Sequence, residues 1–419
     1  MTGRVAIIGG GVIGLCSAWF LQRRGWQVTL LTAGAPGHGA SAVNAGWIVP
    51  SLSEPVPAPG LVTTSLRWML HSDSPLYIRP RPDPAMLWWL IRFWRHCNAR
   101  DYAHGLAATA ELNRRTFALY DELAAAGVRF EEHRTGILFA YHSPAALEHD
   151  LRAMEPLRAH GVNVPSQPLW GDDVRAFEPA LSQSIAGGFW LDQERHVRPD
   201  SLIAGLLEAL AERGVDIRRD TRVTGFDLAN GRLTNVRFER GRLEVDAAVL
   251  CAGAWTGRLA RLAGARLPIQ GGKGYSLDFA PPPRPVTHAL YLHEARVAVT
   301  PLHGMVRLAG TMEFSGLNHR IRPERVAAIA RAGAAALRDW PASPGSAHVG
   351  AGLRPMTPDG LPVIGWLPGV RNLAVASGHA MLGMTLAPAT GEAVAELVTS
   401  GSPPEVLRPF DPARFARFL

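Results

Sequence analysis

The apolar run Val5-Ala6-Ile7-Ile8 leads straight into Gly9-Gly10-Gly11-Val12-Ile13-Gly14, and few folds accommodate that junction. The run reads as the first strand of a parallel sheet, the glycines as a tight turn, and residues 15–24 as a helix closed by Gly25. Val28-Thr29-Leu30-Leu31 then reads as the second strand. Gly9 permits the turn, Gly11 lets the backbone come close to a ligand, and Gly14 lets the helix lie tightly on the strand. Free backbone N–H groups at the head of such a helix attract an anion, and a pyrophosphate suits them. A bound dinucleotide is therefore expected. In one respect the chain departs from the usual pattern: Thr32 stands where an acidic residue would hold the ribose hydroxyls, and no Asp or Glu precedes Glu54. The Thr32 hydroxyl is the substitute at hand.

At 419 residues and 47% hydrophobic content the chain can bury a large core in two or three structural units. No apolar run reaches membrane-spanning length, and with the glycine turn so near the start no cleaved signal peptide is expected ahead of it. Cys16, Cys97 and Cys251 are scattered, without metal-ligand spacing. A cytoplasmic setting is expected. The formal charge of +7 does not indicate a nucleic-acid partner. Its arginines are spread along the chain, Lys273 is the single lysine, and no nucleic-acid motif accompanies them.

Helix and strand signals alternate without a repeat, as in an α/β chain of two domains. The proline-rich stretch from Ser51 to Pro84 reads as an excursion into a second domain. Residues 101–127 have helical spacing and 136–141 read as a strand. The chain is expected to return at Arg198-Pro199-Asp200, with Asp200 or Ser201 capping a helix that runs to Arg213, and residues 214–223 following as a strand. Ala247 to Cys251 is a further short strand, ending on Ala252-Gly253-Ala254-Trp255. The expected division places 1–75, 195–265 and 346–419 in a Rossmann-like nucleotide domain. It places 76–194 and 266–345 in a substrate domain built on a mostly antiparallel sheet.

The series Gly9 to Gly14, Gly39-Ala-Ser-Ala-Val-Asn-Ala-Gly46, Val223, Ala252 to Trp255, Gly352-Leu-Arg-Pro-Met-Thr-Pro-Asp-Gly360 and Ser377 to Gly391 resembles the D-amino-acid oxidase superfamily of flavoproteins. The stretch from Asn44 to Pro80, with Arg67-Trp-Met69 and Ile78-Arg-Pro80, resembles its bacterial D-amino-acid dehydrogenase branch, as does Gly272-Lys-Gly-Tyr-Ser276. Leu386-Ala-Pro-Ala-Thr-Gly391 is instead similar to glycine and sarcosine oxidases. The resemblance implies a glutathione-reductase-like fold with noncovalent FAD. It also implies oxidative deamination of D-amino acids by hydride transfer from Cα to flavin N5, giving a 2-oxo acid and ammonia, with electrons passed to a quinone or other respiratory acceptor. D-proline or D-hydroxyproline, or glycine or sarcosine, is the alternative substrate within the superfamily. From the residues alone, a nicotinamide-dependent dehydrogenase and an RNA-directed flavoprotein stay open.

Carried over by position, the cofactor would be held by Gly9, Gly11, Val12, Ile13, Gly14, Thr32, Ala33, Ala40, Ser41, Asn44, Ala45, Gly46, Trp47, Val223 and Gly253. The loop His379, Met381, Leu382, Gly383, Met384 and Thr385 would reach the pyrimidine end of the flavin, where a helix starting near Leu386 stabilises negative charge. An amino acid brings a carboxylate, which calls for a planar, permanent cation. Arg354 is the candidate, with Asp359 as its competing structural partner. Tyr275 is expected to assist from the strand Lys273 to Leu277, and Lys273 to act electrostatically near the flavin edge. The segment 84–97 combines Trp88, Trp89 and Trp94 with Arg92 and Arg95. It reads either as an amphipathic helix at the inner face of a membrane or as a helix buried between domains.

Overall fold

A computed structural model describes residues 3–61, 76–80 and 82–418; Arg67-Trp-Met69 lies outside them. In chain order the elements that frame the interior are β1 (Arg4–Ile8), α1 (Val12–Arg23), β2 (Gln27–Leu31), α2 (Pro84–His96), β3 (Ala247–Leu250), β4 (Gln270–Phe279), β5 (Ala289–Leu292), β6 (Val297–Leu302), β7 (Met305–Phe314), β8 (His348–Met356), β9 (Leu373–Ser377) and α3 (Gly383–Ser400).

One six-stranded sheet runs in the order Asp216–Arg218, β2, β1, β3, β9, Val363–Trp366. All its pairings are parallel except the last. Because both faces are covered, its central strands are almost wholly apolar, as a doubly covered parallel sheet requires. Val5 and Ile7 of β1 pack with α1 and α3, whereas Ala6 and Ile8 pack with Phe226 and Val236 of the three-stranded sheet on the other face. Gly9 adopts φ of +121°, and a Cβ there would run into the carbonyl oxygen of Cys251. A Cβ on Gly14 would overlap the carbonyl of Gly9, so its absence sets how closely α1 lies on β1.

A second, nine-stranded sheet carries β8, β4, β7, β6 and β5 side by side, then Ile137–Tyr141, Gly187–Leu191 and Leu169–Trp170, with Leu76–Ile78 paired to β7. β8 pairs with β4 over its whole length, from Met356 opposite Gln270 to His348 opposite Asp278. Residues 348–356 thus belong to the larger sheet, and the expected boundary at 346 falls too early. The reason is that β8 continues a nearly all-antiparallel ladder, which glycine-rich β4 can approach closely.

Local differences have local causes. The helix expected over 101–127 is two, Ala99–Asn113 and Thr116–Ala125. At the break, buried Asn113 bonds Ser53 Oγ, and the Thr116 hydroxyl bonds Asn113 and the carbonyl of Thr385, so side chains take over where the helix ladder stops. The helix Pro199–Glu212 starts on Pro199 without a side-chain cap, because Asp200 pairs with Arg198 and the Ser201 hydroxyl receives the backbone N–H of Glu131. The strand expected over 214–223 is only Asp216–Arg218, and Asp220, at φ of +49°, turns the chain before Val223 opens another.

α2 is amphipathic in an inverted sense. Met86 and Trp89 are buried, while Leu87, Trp88 and Trp94 are 61%, 64% and 62% exposed, and Ile91 lies on the same outer side. The alternative of a helix buried on all sides is therefore excluded. No helix among the described residues is long and apolar enough to cross a membrane.

Candidate active site

Between the two sheets lies a cavity of about 1340 Å³, larger than the roughly 300–1,000 Å³ usual for small-molecule pockets. Its walls come from β1, α1, β2, the 37–49 loop, α2, β7, β8 and the head of α3. Neither helix that opens onto it is capped by its own N-cap residue, Gly11 for α1 and Leu382 for α3. Two sets of helix N-terminal N–H groups, each with its positive dipole end, face one space. A Cβ on Gly11 would meet only the Ser41 hydroxyl, at 3.3 Å, so this glycine leaves a cradle that a side chain would fill. Ser41 Oγ accepts from Val12 N at 3.1 Å and thereby fixes the loop to the turn.

Of the residues expected at the cofactor, Gly9, Gly11, Val12, Ile13, Thr32, Ala33, Ala40, Ser41, Asn44, Ala45, Trp47, Val223, Gly253, His379, Met381, Leu382, Gly383 and Met384 line this cavity. Gly14, Gly46 and Thr385 stand behind its wall. Gly46 has φ of +83°, and a Cβ there would strike the Val197 carbonyl, so it serves a close strand approach. The Thr385 hydroxyl accepts from Val49 N and donates to Trp47 O, tying α3 to the strand Trp47–Ile48. The Thr32 hydroxyl donates to Gly34 O, which leaves it only acceptor capacity for a ribose. α3 starts at Gly383, three residues before the expected point, which brings its head onto the cavity.

Several positioning groups gave no motif signal. Arg307 on β7 grips Asp278 with two bonds of 2.7 and 2.9 Å and donates to the carbonyls of Ala42 and Asn44. It thus clamps the cofactor-facing loop to the larger sheet. The hydroxyl of Thr300 receives Trp47 Nε1 and donates to Ala45 O, doing the same one strand over. Buried His379 bonds Thr390 through Nε2, and its Nδ1 has no partner among the described residues. Burial holds its pKa down at about 3, so the ring is neutral and leaves an open polar atom beside the α3 head. Cys251 also borders the cavity, but burial raises its thiol to about 12, so it offers no thiolate.

Arg354 on β8 projects into the cavity over Gly274 of β4, where a Cβ would collide with the guanidinium. Its Nη1 donates to Thr311 O at 2.8 Å, and it makes no ion pair among the described residues. Thr311 pays for this in strain, with φ of +62° in a β-branched residue. Burial alone pushes the Arg354 pKa down to about 10, so it remains a cation at neutral pH. Asp359, its competing partner, is held instead by Arg414 at 2.7 Å.

Tyr275 and Lys273 lie elsewhere. Successive strand residues face opposite ways, so with Gly274 turned to the cavity both neighbours turn from it, and neither lines it. Lys273 Nζ pairs with Glu313 at 2.9 Å and bonds Asn318 and Arg320 O. The Tyr275 hydroxyl donates to Glu313 Oε2 at 2.6 Å. These two residues form a buried polar cluster behind the wall. The geometry does not support the expectation that they meet substrate or flavin.

The model of the family described as DAO, FAD dependent oxidoreductase, matches residues 4–397. The chain belongs to this family. A DAO relative from Rhizorhabdus wittichii, named D-amino acid dehydrogenase, is 33% identical over 410 residues, covering 96% of this chain and 97% of its own. One of the same name from Methylobacterium radiotolerans is 34% identical over 421 residues, with 96% and 97% covered. Among solved structures, glycine oxidase from Geobacillus kaustophilus superposes with a TM-score of 0.77 at 24% identity over 99% of both chains. L-proline dehydrogenase from P. horikoshii gives 0.74 at 20% identity, over 100% of this chain and 98% of its own. These likenesses establish the DAO-type fold and FAD as the cofactor. The two helix heads that lack an N-cap side chain, the Gly11 cradle and the open His379 nitrogen fit that cofactor.

Proposed function

We propose that this flavoenzyme is a D-amino-acid dehydrogenase, carrying out the oxidative deamination that the names of its relatives describe, with Arg354 as the anchor of the substrate carboxylate. The observation that carries the reading is a desolvated guanidinium with no carboxylate partner among the described residues, on the wall of the cofactor cavity. A buried cation in that state is costly unless a ligand supplies the anion, and a carboxylate matches its planar fork. Bound FAD supplies the two-electron acceptor. The protein's own part is to bind and orient. Arg354 fixes the carboxylate, Gly274 gives the guanidinium room, and the largely apolar wall of Trp89, Phe314 and Met356 keeps water from the reacting carbon. The substrate gives up its Cα hydrogen with the electron pair and one amine proton. Water then splits the imino acid into a 2-oxo acid and ammonia. Arg354→Ala should retain flavin, read from absorbance, while kcat/KM for D-alanine falls at least about a hundredfold. A near-parental value would refute the assignment. Anaerobic mixing with D-alanine, L-alanine, D-proline and sarcosine, watched for flavin bleaching, separates the D-amino acid reading from the cyclic and secondary amines.

We further propose that electrons leave to a quinone at a membrane surface on which α2 rests, with the chain held peripherally on the cytoplasmic side. Trp89, Leu90, Phe93 and Trp94 line the cavity while Leu87, Trp88, Ile91 and Trp94 face outward, so one helix is both cavity wall and exposed apolar surface. Exposed Arg95 on the same helix suits anionic headgroups. Co-sedimentation with vesicles containing phosphatidylglycerol should drop severalfold in Trp88→Ser/Trp94→Ser. Unchanged binding, or hydrogen peroxide formation as fast as dye reduction, argues against this route.

A further inference from the structure

Where the cavity runs along the larger sheet, its wall holds a polar group that amine oxidation at Arg354 does not use: Tyr141, Asp150, Tyr291, His293 and Arg296. Most of these side chains already have partners. Asp150 is paired with His293 at 2.8 Å and receives the Tyr141 hydroxyl at 3.0 Å. Nearby Glu54, also on the wall, is hydrogen-bonded by Tyr102, and burial raises its pKa toward the uncharged form. Arg296 differs. It is solvent-exposed, donates to the Tyr291 hydroxyl at 3.3 Å and feels the charge of Asp150, but makes no direct ion pair among the described residues. It sits in the turn joining β5 to β6 with φ of +54°, a conformation in which glycine or asparagine would be at ease. Backbone strain of this kind gathers at binding sites, and here it holds a guanidinium at the cavity.

The place of Arg296 relative to Arg354 gives that cation a use. A Cβ on Gly310 would sit 3.4 Å from the carbonyl oxygen of Arg296. The next residue, Thr311, accepts the hydrogen bond from Arg354. Arg354 therefore reaches from β8 across β4 to Thr311 of β7, Arg296 stands in the turn before β6 on the other side of β7, and both line the one cavity. A ligand with one carboxylate engages one of them. A ligand with a carboxylate at each end engages both.

We propose that Arg296 forms a side-chain subsite for a second carboxylate, so that this enzyme favours amino acids whose side chain is itself acidic. The proposal rests on Arg354 taking the α-carboxylate, and the test keeps the two apart. Calorimetric titration of the FAD-loaded enzyme with glutarate and with valerate compares a dicarboxylate and a monocarboxylate of equal length. Glutarate should bind at least about tenfold more tightly, the scale of one charge-assisted contact. Arg296→Gln should erase that preference and raise the KM of D-glutamate about tenfold or more with little change in kcat, while Arg296→Lys recovers part of it. Tyr291→Phe, which removes only the hydroxyl that steadies the guanidinium, should narrow the preference. Equal binding of the two acids by the parent enzyme, or a glutarate preference that survives Arg296→Gln, overturns the subsite. Undiminished valerate binding in Arg354→Gln would instead overturn the carboxylate anchor.

Discussion

Two cations, buried Lys273 and half-buried Arg354, stand on adjacent strands of the larger sheet and face opposite ways, and they differ in what neutralises them. Lys273 has Glu313 at 2.9 Å, with Tyr275 and two further acceptors around it. Arg354 has one carbonyl. A cation with a complete set of partners braces a fold, and one left open awaits a ligand. Glu194 illustrates the same rule for an acid. Its Oε1 receives the backbone N–H of Ser51, its Oε2 has no partner among the described residues, and burial raises its pKa from 4.5 to about 7. Between those values the folded protein holds a proton that the unfolded chain has lost. The carboxyl's contribution is therefore full below pH 4.5, declines as pH rises through 7, and stays low above it. That window corresponds to about 3 kcal/mol. Glu194→Gln removes the dependence. Relative to the parent, the variant should gain about 3 kcal/mol more at pH 8 than at pH 4, measured by urea unfolding at both values.

At the scale of single elements, α3 shows how one hydroxyl can mend a helix. Pro388 lies inside it and has no N–H to give to Met384 O, four residues back. Tyr120 supplies the missing donor at 2.7 Å. Tyr120→Phe should leave that buried carbonyl unpaired and cost about 1–3 kcal/mol, visible as a lower Tm, together with looser flavin binding because Met384 is on the cavity wall. Elements of this sort differ in how far sequence exposes them. The glycine turn was legible because Gly9, Gly11 and Gly14 each meet a backbone or ligand demand that no side chain satisfies. The place of Arg354 on the cavity wall was legible because the motif around it is dense. The faces of β4 were not, since a shift of one residue exchanges inside for outside and glycine-rich Gly271 to Gly274 carries no apolar alternation to fix the phase. Arg296 and Arg307 escaped notice because an arginine in a turn or an ordinary strand has no local pattern. Their roles arise from partners such as Asp278, which lies 29 positions from Arg307 along the chain.

Across the whole molecule, the cavity is a junction. It is walled by both sheets, by the loops between them and by the heads of α1 and α3, so a dinucleotide lying there would bridge parts of the chain that otherwise meet around empty space. A ligand that binds only the folded form stabilises it by mass action, by about 2.7 kcal/mol when present at a hundredfold excess over its Kd. Stripping the flavin should therefore lower Tm by several degrees, and adding FAD back should restore it in a concentration-dependent way. Scanning calorimetry of the apo and reconstituted forms checks this, and an unchanged Tm would mean that the walls hold themselves.

The six strands of the nucleotide sheet come from four separated stretches, 4–31, 216–218, 247–250 and 363–377, and the bare head of α3 follows them in sequence. During synthesis, the glycine turn therefore leaves the ribosome long before its neighbouring strands exist. The first strand pair must wait, apolar and half covered, until β3, β9 and α3 have emerged. A cofactor site completed by the head of α3 can therefore load only after these later strands have emerged.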